Sequence, residues 1–489
     1  MDNRFLRRES MEKNLKKYLI EGANLTKEEL SLDNPYRDIG FDQENGRLGW
    51  VRTLPFSQIK AVLESTVPLF EGKKDFIFVG MGGSINGIKP LLGLFKKKAF
   101  HVLDNLDPRA VAEVVEGIDN LEDTMVISIS KSGTTKETQL LSLTLKEIFS
   151  NRLGKNSSVK HFLWLSDPSS FQKLDDLGWN GVEKRAIQFD REEDIGGRFA
   201  APHTLIFFLP MFLLLNKNFS KLKECYDSFV ELKPKIQERA YLVSRDCRTW
   251  QQAYFSPFIA GNLDQSLSSW IVQLFQESLG SKLKDLSVKT LTNVLEDEMF
   301  LSLKLDFDID NTLVSLISQM YFFQVVIAFY SAERKINFVN QGFVEKYKQQ
   351  MHMLENKVQE DISDKLVNLE GAISEVKKII QPQHRFLEIV LYFDPTSQMK
   401  ASMQKAFSQS LPESRVLIFV GSDWNHQSYQ AAFGSKDTFY LLLTASSYQS
   451  VVTDVSKNTL AKNVETLKLI AKSTYLTIKG KSLLFSFQV

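Results

Sequence analysis

The sequence predicts an α/β protein made of two doubly wound parallel-sheet units with helices on both faces. Short apolar runs alternate with helix-like stretches from residue 75 onward, the rhythm of buried strands joined by crossover helices. The same alternation restarts near residue 246. A chain of 489 residues also exceeds what one core usually holds. The expected division is an N-terminal helical extension over 1–70, a first unit over 71–215, a helical connection over 216–245 and a second unit over 246–489.

Each element has a local reason. Met11–Ile20 and Ser57–Leu69 carry helix-like apolar spacing. Asp75–Met81, Ala99–Leu103, Thr124–Ser130, His161–Ser166 and Ala186–Phe189 are short apolar runs bounded by turn residues and read as strands, with Lys136–Phe149 a helix among them. Residues 204–245 read mostly as helix. In the second unit the strand candidates are Pro257–Gly261, Lys289–Leu291, Phe300–Leu305, Leu387–Phe393, Arg415–Gly421, Thr438–Thr444 and Ser482–Phe487. Helices fit between them at Ser268–Leu279, Thr312–Ala332 and Leu460–Ala471, and the polar stretch Gln341–Val376 also reads as helical.

Composition excludes several classes of function. Hydrophobic residues at 43% and charged residues at 24% are values for a globular chain. Lys plus Arg number 60 against 59 for Asp plus Glu, so no global field gathers nucleic acid or an anionic membrane. Any anion must be held by local geometry. Cys225 and Cys247 match no metal or disulfide pattern and are expected as reduced thiols. The charged N-terminus lacks the apolar core of a secretory signal. The most apolar stretch, Thr204–Leu215, is interrupted by Pro210 and falls short of the roughly 20 residues that span a bilayer, which fits a buried helix. The expected location is the cytoplasm, with no membrane and no nucleic-acid partner.

Two turns carry the chemistry. Gly80-Met81-Gly82-Gly83-Ser84 follows the run Phe76–Val79, and Ser130-Lys131-Ser132-Gly133-Thr134-Thr135 follows Met125–Ile129. Both open into helical sequence. In open α/β sheets ligands bind at the carboxyl ends of strands, where a helix start offers unpaired N–H groups and partial positive charge. Glycine lets backbone approach a phosphate closely, and Ser130, Ser132, Thr135 and Thr138 add hydroxyl donors. The first turn lacks the third glycine of a dinucleotide fingerprint, and no Gly-Lys-Ser/Thr follows at Walker spacing. A small phosphate dianion fits the second turn best.

In order along the chain, these residues resemble a known family. Ser130-Lys131-Ser132-Gly133-Thr134-Thr135-Lys136-Glu137-Thr138 resembles the phosphate loop of glucose-6-phosphate isomerases, which are built from sugar isomerase (SIS) domains. Gly82-Gly83-Ser84 resembles that family's first sugar-phosphate turn, and Asp104-Asn105-Leu106-Asp107-Pro108 its Asp-Ser-Thr-Asp-Pro stretch. Gly196-Gly197-Arg198-Phe199, Gln273-Leu274-Phe275-Gln276-Glu277-Ser278 and Asn340-Gln341 through Val344-Glu345 to Lys348 are similar to three further motifs. The pattern is most similar to the isomerase half of fused transaldolase/glucose-6-phosphate isomerase proteins, whose late His-Ser-x-x-Gln segment is matched by His426-Gln427-Ser428-Tyr429-Gln430. Residues 1–70 are read as carrying no transaldolase portion.

The resemblance implies SIS-type units that interconvert glucose 6-phosphate and fructose 6-phosphate through a cis-enediolate, without metal or organic cofactor. Such chemistry needs one base to move a proton between adjacent carbons and a positive group beside the enediolate oxygen. Glu277 is the expected base: it lies among Ile271, Leu274 and Phe275, where apolar surroundings should raise a carboxyl pKa, and shares a helix face with Gln273. Arg198 is the expected clamp for enediolate charge. Lys348 and His426 would open the sugar ring, while Gly83, Ser84, Ser130, Lys131, Ser132, Thr135, Thr138 and Gln273 would bind substrate and its phosphate. Family members are commonly homodimers whose sites borrow residues across the interface, so the resemblance also implies a possible homodimer.

Several positions depart from the family pattern. Ala200 stands in place of a serine, Asn340 of an aspartate, Gly342-Phe343 of Pro/Trp-Gly, Ser281 of a lysine, and Ala431-Ala432-Phe433 of a second histidine and a lysine. Two alternatives are carried: an isomerase of another sugar phosphate such as mannose 6-phosphate, and a non-catalytic SIS protein that senses a sugar phosphate.

Overall fold

Strand β1 (Asp75–Gly80) sends Phe76 and Phe78 into one core and Ile77 and Val79 into another. This two-residue period marks a strand buried on both faces. With β2 (Phe100–Leu103), β3 (Thr124–Ile129), β4 (Phe162–Ser166) and β5 (Glu183–Ala186) it forms an all-parallel five-stranded sheet in the order β2-β1-β3-β4-β5. The computed structural model describes residues 49–489, apart from 248–252, 262, 264–265, 282–285, 295–296, 335, 340–341, 343, 356–364 and 450–451. The expected helix Met11–Ile20 and the pair Asn340-Gln341 lie outside the described residues.

The strands expected to run together after residue 246 divide into two sheets. β6 (Ala253–Pro257), β7 (Val288–Thr290) and β8 (Leu301–Leu303) make a three-stranded parallel sheet in the order β7-β6-β8. Their buried residues Ala253, Phe255, Val288 and Leu303 join the core on the Phe76 side of the first sheet, which is why they separate from the later strands. β9 (Leu366–Val367), β10 (Phe386–Tyr392), β11 (Arg415–Val420), β12 (Thr438–Ala445) and β13 (Ser482–Phe487) form a second five-stranded parallel sheet, ordered β11-β10-β12-β13-β9. In both large sheets the first long strand lies between the next two, so each has a crevice outside the carboxyl ends of its central strands. The sheets differ at one edge: β5 follows β4 along the chain, whereas β9 precedes β10.

Two strand boundaries differ from expectation by three residues or more, and the stretch Gln341–Val376, expected as helical, holds strand β9 at Leu366–Val367. β5 starts at Glu183 rather than at Ala186, because an edge strand with half-buried charged residues hides its pattern while the apolar Ile187–Phe189 packs as a buried loop. β6 ends at Pro257, where the expected strand began.

The helices that build the site are α1 (Gly83–Asn86), α2 (Lys136–Leu153), α3 (Phe219–Asp246), α4 (Ser266–Leu279), α5 (Thr312–Arg334), α6 (Val344–Glu355), α7 (Asp423–Gln427) and α8 (Lys457–Thr477). α2 and α8 lie between the two large sheets, where Leu141, Leu145 and Ile148 share a core with Leu467, Ile470, Val390 and Tyr392, and Asn463 Nδ2 donates to Thr144 Oγ1 at 3.0 Å. This middle core fixes the loops of one sheet against those of the other. The span Thr312–Ser331 of α5 is long and apolar enough to cross a membrane, but 89% of its most apolar window is buried within the molecule. It packs along α3, where Gln237 Nε2 donates to the Tyr321 hydroxyl at 2.6 Å. A buried Lys289–Glu388 ion pair, with Trp424 Nε1 donating to the same carboxylate at 2.7 Å, joins the small sheet to the second large one.

Candidate active site

Two glycines bring distant segments together. Gly82 has φ of +54°, and a Cβ there would sit 2.9 Å from His426 Cβ and 3.1 Å from Gln273 Nε2. A Cβ on Gly83 would lie 2.4 Å from the Gly197 carbonyl carbon and 2.6 Å from Arg198 N. The turn after β1 therefore touches the Gly-Gly-Arg turn on one side and α4 and α7 on the other. Side chains larger than hydrogen would hold these pieces apart.

On α4, Gln273 and Glu277 share one face, as their four-residue spacing dictates. Glu277 is 4% exposed and accepts a hydrogen bond from Gln273 Nε2 at 2.9 Å. Its other oxygen lies 3.7 Å from Arg198 Nη1. Arg198 is 1% exposed; its Nε donates to Ser278 Oγ at 2.8 Å and its Nη2 to the Phe338 carbonyl. The guanidinium is thus fixed in plane beside the carboxylate, away from bulk water, where charge interactions are strong.

His426, on α7, makes a 3.1 Å contact from Nε2 to Glu137 Oε1. Burial opposes the charged form of both groups, but the hydrogen bond and mutual attraction outweigh it. The His426 pKa lies above its ordinary value of 6.5 and that of Glu137 below 4.5. The contact thus favours an imidazolium facing a carboxylate. Glu137, in the first turn of α2, went unforeseen in this role, because an acidic residue at a helix start reads as an ordinary complement to the helix dipole.

The hydroxyl loop leads directly into α2. Ser130 is 2% exposed and shares a 2.9 Å hydrogen bond with Thr135 Oγ1. Ser132 Oγ accepts from the backbone and the hydroxyl of Thr134. Thr135 occupies the N-cap position of α2 without a side-chain cap bond, so the side chain does not cover the helix start. Thr138 is fully buried and its hydroxyl has no partner among the described residues, a condition that a bound ligand would relieve. Lys131 instead ties the loop to the segment before Arg198: its amine donates to the Ile195 carbonyl at 2.6 Å and pairs with Asp167 at 3.3 Å. Ser84 is buried on α1 beside Gly83.

Lys348 stands at the rim on α6. Its side chain is 46% exposed and its amine lies 2.9 Å from Glu345 Oε1. Its charge still acts on the buried pair, favouring ionised Glu137 and opposing protonation of His426. α6 is seated by buried Tyr347, whose ring meets Tyr429 edge-on at 5.0 Å. A contiguous path thus runs from the hydroxyl loop through Glu137 and His426 to Gly82, Gln273, Glu277 and Arg198. Such a group of side chains can bind an anion at one end and move a proton at the other.

Comparison with known proteins bears on this arrangement. The family model described as phosphoglucose isomerase matches residues 69–227, which hold the whole first sheet, the hydroxyl loop and Arg198. The glucose-6-phosphate isomerase of Campylobacter jejuni is 30% identical over 218 residues, covering 43% of this chain and 51% of the relative. Residues 69–227 of the chain thus match the phosphoglucose isomerase family. A glucose-6-phosphate isomerase of Thermus thermophilus is 31% identical over 131 residues, 26% of this chain and 30% of the relative. The chain therefore spans about half or less of these curated relatives. A crystal structure of a glucose-6-phosphate isomerase from Chlamydia trachomatis aligns with a TM-score of 0.50 at 15% identity, covering 73% of this chain and 87% of that one, which speaks to fold alone. The phosphoglucose isomerase match ends before Glu277, Lys348 and His426, so these three rest on sequence motif and geometry.

Proposed function

We propose that the chain interconverts glucose 6-phosphate and fructose 6-phosphate by proton transfer through a cis-enediolate. The observation that carries the reading is the buried Glu277 carboxylate, set between a guanidinium and an amide and reached from the hydroxyl loop through contiguous side chains. In this reading the phosphate is held by Ser130, Ser132, Thr135 and Thr138 with the backbone N–H groups of the loop and of the Gly83-Ser84 turn. His426, kept protonated by Glu137, and Lys348 move the protons that open the ring. Glu277 then removes the proton from C2 and returns it to C1, while the hydroxyl proton passes from O2 to O1. Arg198 stabilises the enediolate oxygen between the two transfers, an electrostatic contribution that a dry, fixed site makes large. Gln273 holds the base in orientation and lies against the Gly82 turn, where it is placed to meet the sugar.

The test is a coupled assay of fructose 6-phosphate conversion to glucose 6-phosphate. Wild type should turn over, and Glu277→Gln should lose about 10²–10⁴ in kcat while keeping affinity for substrate, the usual yield of a positioned base. Activity in Glu277→Gln close to wild type would remove Glu277 as the base. Binding of sugar phosphate without turnover by wild type would favour a sensor over an enzyme. Faster turnover of mannose 6-phosphate than of glucose 6-phosphate would reassign the substrate.

A further inference from the structure

The orientation of Glu277 depends on a side chain that does not touch it. We infer that Asn86 is a positioning residue for Glu277, acting through the amide of Gln273. The kinetic consequence rests on the isomerase reading above; the geometry does not.

Asn86 is fully buried on α1, three residues after Gly83. Its Nδ2 donates to Gln273 Oε1 at 3.0 Å and to Asp423 Oδ1 at 3.1 Å, so both of its N–H bonds are committed. With its oxygen held by Asn86, Gln273 must turn its nitrogen the other way, where it meets Glu277 Oε2 at 2.9 Å. The two ends of an amide are nearly the same shape, so sterics alone would not stop Gln273 from turning its oxygen onto the carboxylate. Asp423 sets Asn86 in the same manner. Burial raises the Asp423 pKa, but the Lys89 amine beside it favours the ionised form, and an ionised carboxylate only accepts, so the nitrogen of Asn86 faces it. The other oxygen of Asp423 accepts from Lys89 Nζ at 3.2 Å and from Gln427 Nε2. Lys89 also pairs with Asp104 at 2.6 Å.

Orientation thus passes along Lys89, Asp423, Asn86, Gln273 and Glu277, each fixed by the one before. The chain of bonds joins α1, α4 and α7, and α7 carries His426 three residues after Asp423. Charged groups around Glu277 include Arg198 from the Gly-Gly-Arg turn and, beyond Gly82, His426 with Glu137. Lys89, Asp104 and Asp423 sit at the far end of the bond chain. A donor on a carboxylate favours its charged form. Loss of that donor should therefore raise the Glu277 pKa as well as loosen its aim.

The experiment is a double-mutant cycle. Asn86→Leu keeps the number and branching of the side-chain heavy atoms and removes the donor. Its kcat should fall roughly tenfold with a smaller change in KM, and the acid limb of its pH–kcat profile should move up by about one unit. Gln273→Leu should do the same, and adding Asn86→Leu to it should change nothing further, since both act at one point. Additive losses, or a lower thermal midpoint with the acid limb unmoved, would overturn the inference. Asp423→Asn is the second variant, should Asn86→Leu not fold. An asparagine there can donate as well as accept, which frees Asn86 to rotate, and a smaller upward shift of the same limb is expected; no shift counts against the inference. A turnover-independent reading separates the two claims. The Glu277 carboxyl is titrated by 13C NMR in the ligand-free protein, assigned by the signal missing from Glu277→Gln. If wild type shows no interconversion yet Asn86→Leu shifts this titration upward, the isomerase reading fails and the positioning role stands. If wild type turns over and the titration does not shift, the positioning role fails.

Discussion

His426 and Glu137 each keep the other charged in a place where burial alone would neutralise both. Glu137→Gln preserves the shape and one hydrogen bond but removes the negative charge, leaving burial and the nearby Lys348 to act on the imidazole. The His426 pKa should then fall, and the basic limb of activity, which needs the imidazolium, should move to lower pH with it. A kcat/KM profile against pH, with the histidine ring followed by NMR, reads both. The sign for stability follows from linkage. The raised His426 pKa contributes stability fully below the unfolded value of 6.5, lost as pH rises through the folded one. The lowered Glu137 pKa contributes stability above 4.5, lost as pH falls through its folded value. At this scale the sequence revealed the residues whose types and spacing name a chemistry: the hydroxyls from Ser130 to Thr138, Arg198 after two glycines, and Glu277 four residues from Gln273. It did not reveal Asn86, Asp423 or Glu137, because their partners lie far along the chain. The one available signal was a polar Asn86 set between Ile85 and Ile88, which asks for a buried partner without naming it.

At the scale of elements, the short α1 turn governs how the site closes. A methyl group on Gly83 would press into the backbone at Gly197 and Arg198, atoms that no rotamer change can move aside. Gly83→Ala should cost about 1–3 kcal/mol, the usual range for overpacking, measured as a lower urea midpoint. It should also displace Arg198 and reduce kcat in the surviving folded protein. Strands β1, β3, β4, β10 and β12 are legible because each is mostly apolar and buried along its whole length. Strand β5 was misplaced because it lies at an edge and carries Glu183, Lys184 and Arg185. Strand β9, two residues long, is too short to show any period. Helix α5 was legible from its apolar length, since α3 and the first core consume that surface.

At the scale of the molecule, sequence rhythm foretold two wound sheets but not the separation of β6, β7 and β8 from the later strands. Rhythm reports that strands and helices alternate; which strands pair depends on the core they share, and that is settled in three dimensions. The small sheet shares the first core, while the middle core binds the two large sheets through α2 and α8. That middle core has a further consequence. It presents His426 from the second large sheet directly to Gly82 from the first, within one polypeptide. A cluster assembled in this way is expected to draw its acid and its base from the same polypeptide. Two crippled variants, Glu277→Gln and His426→Ala, mixed after unfolding and refolding together, should regain no turnover. Recovery of up to about a quarter of wild-type specific activity, as random pairing into hybrid dimers with one intact site in two would give, would show that the acid and the base come from different molecules.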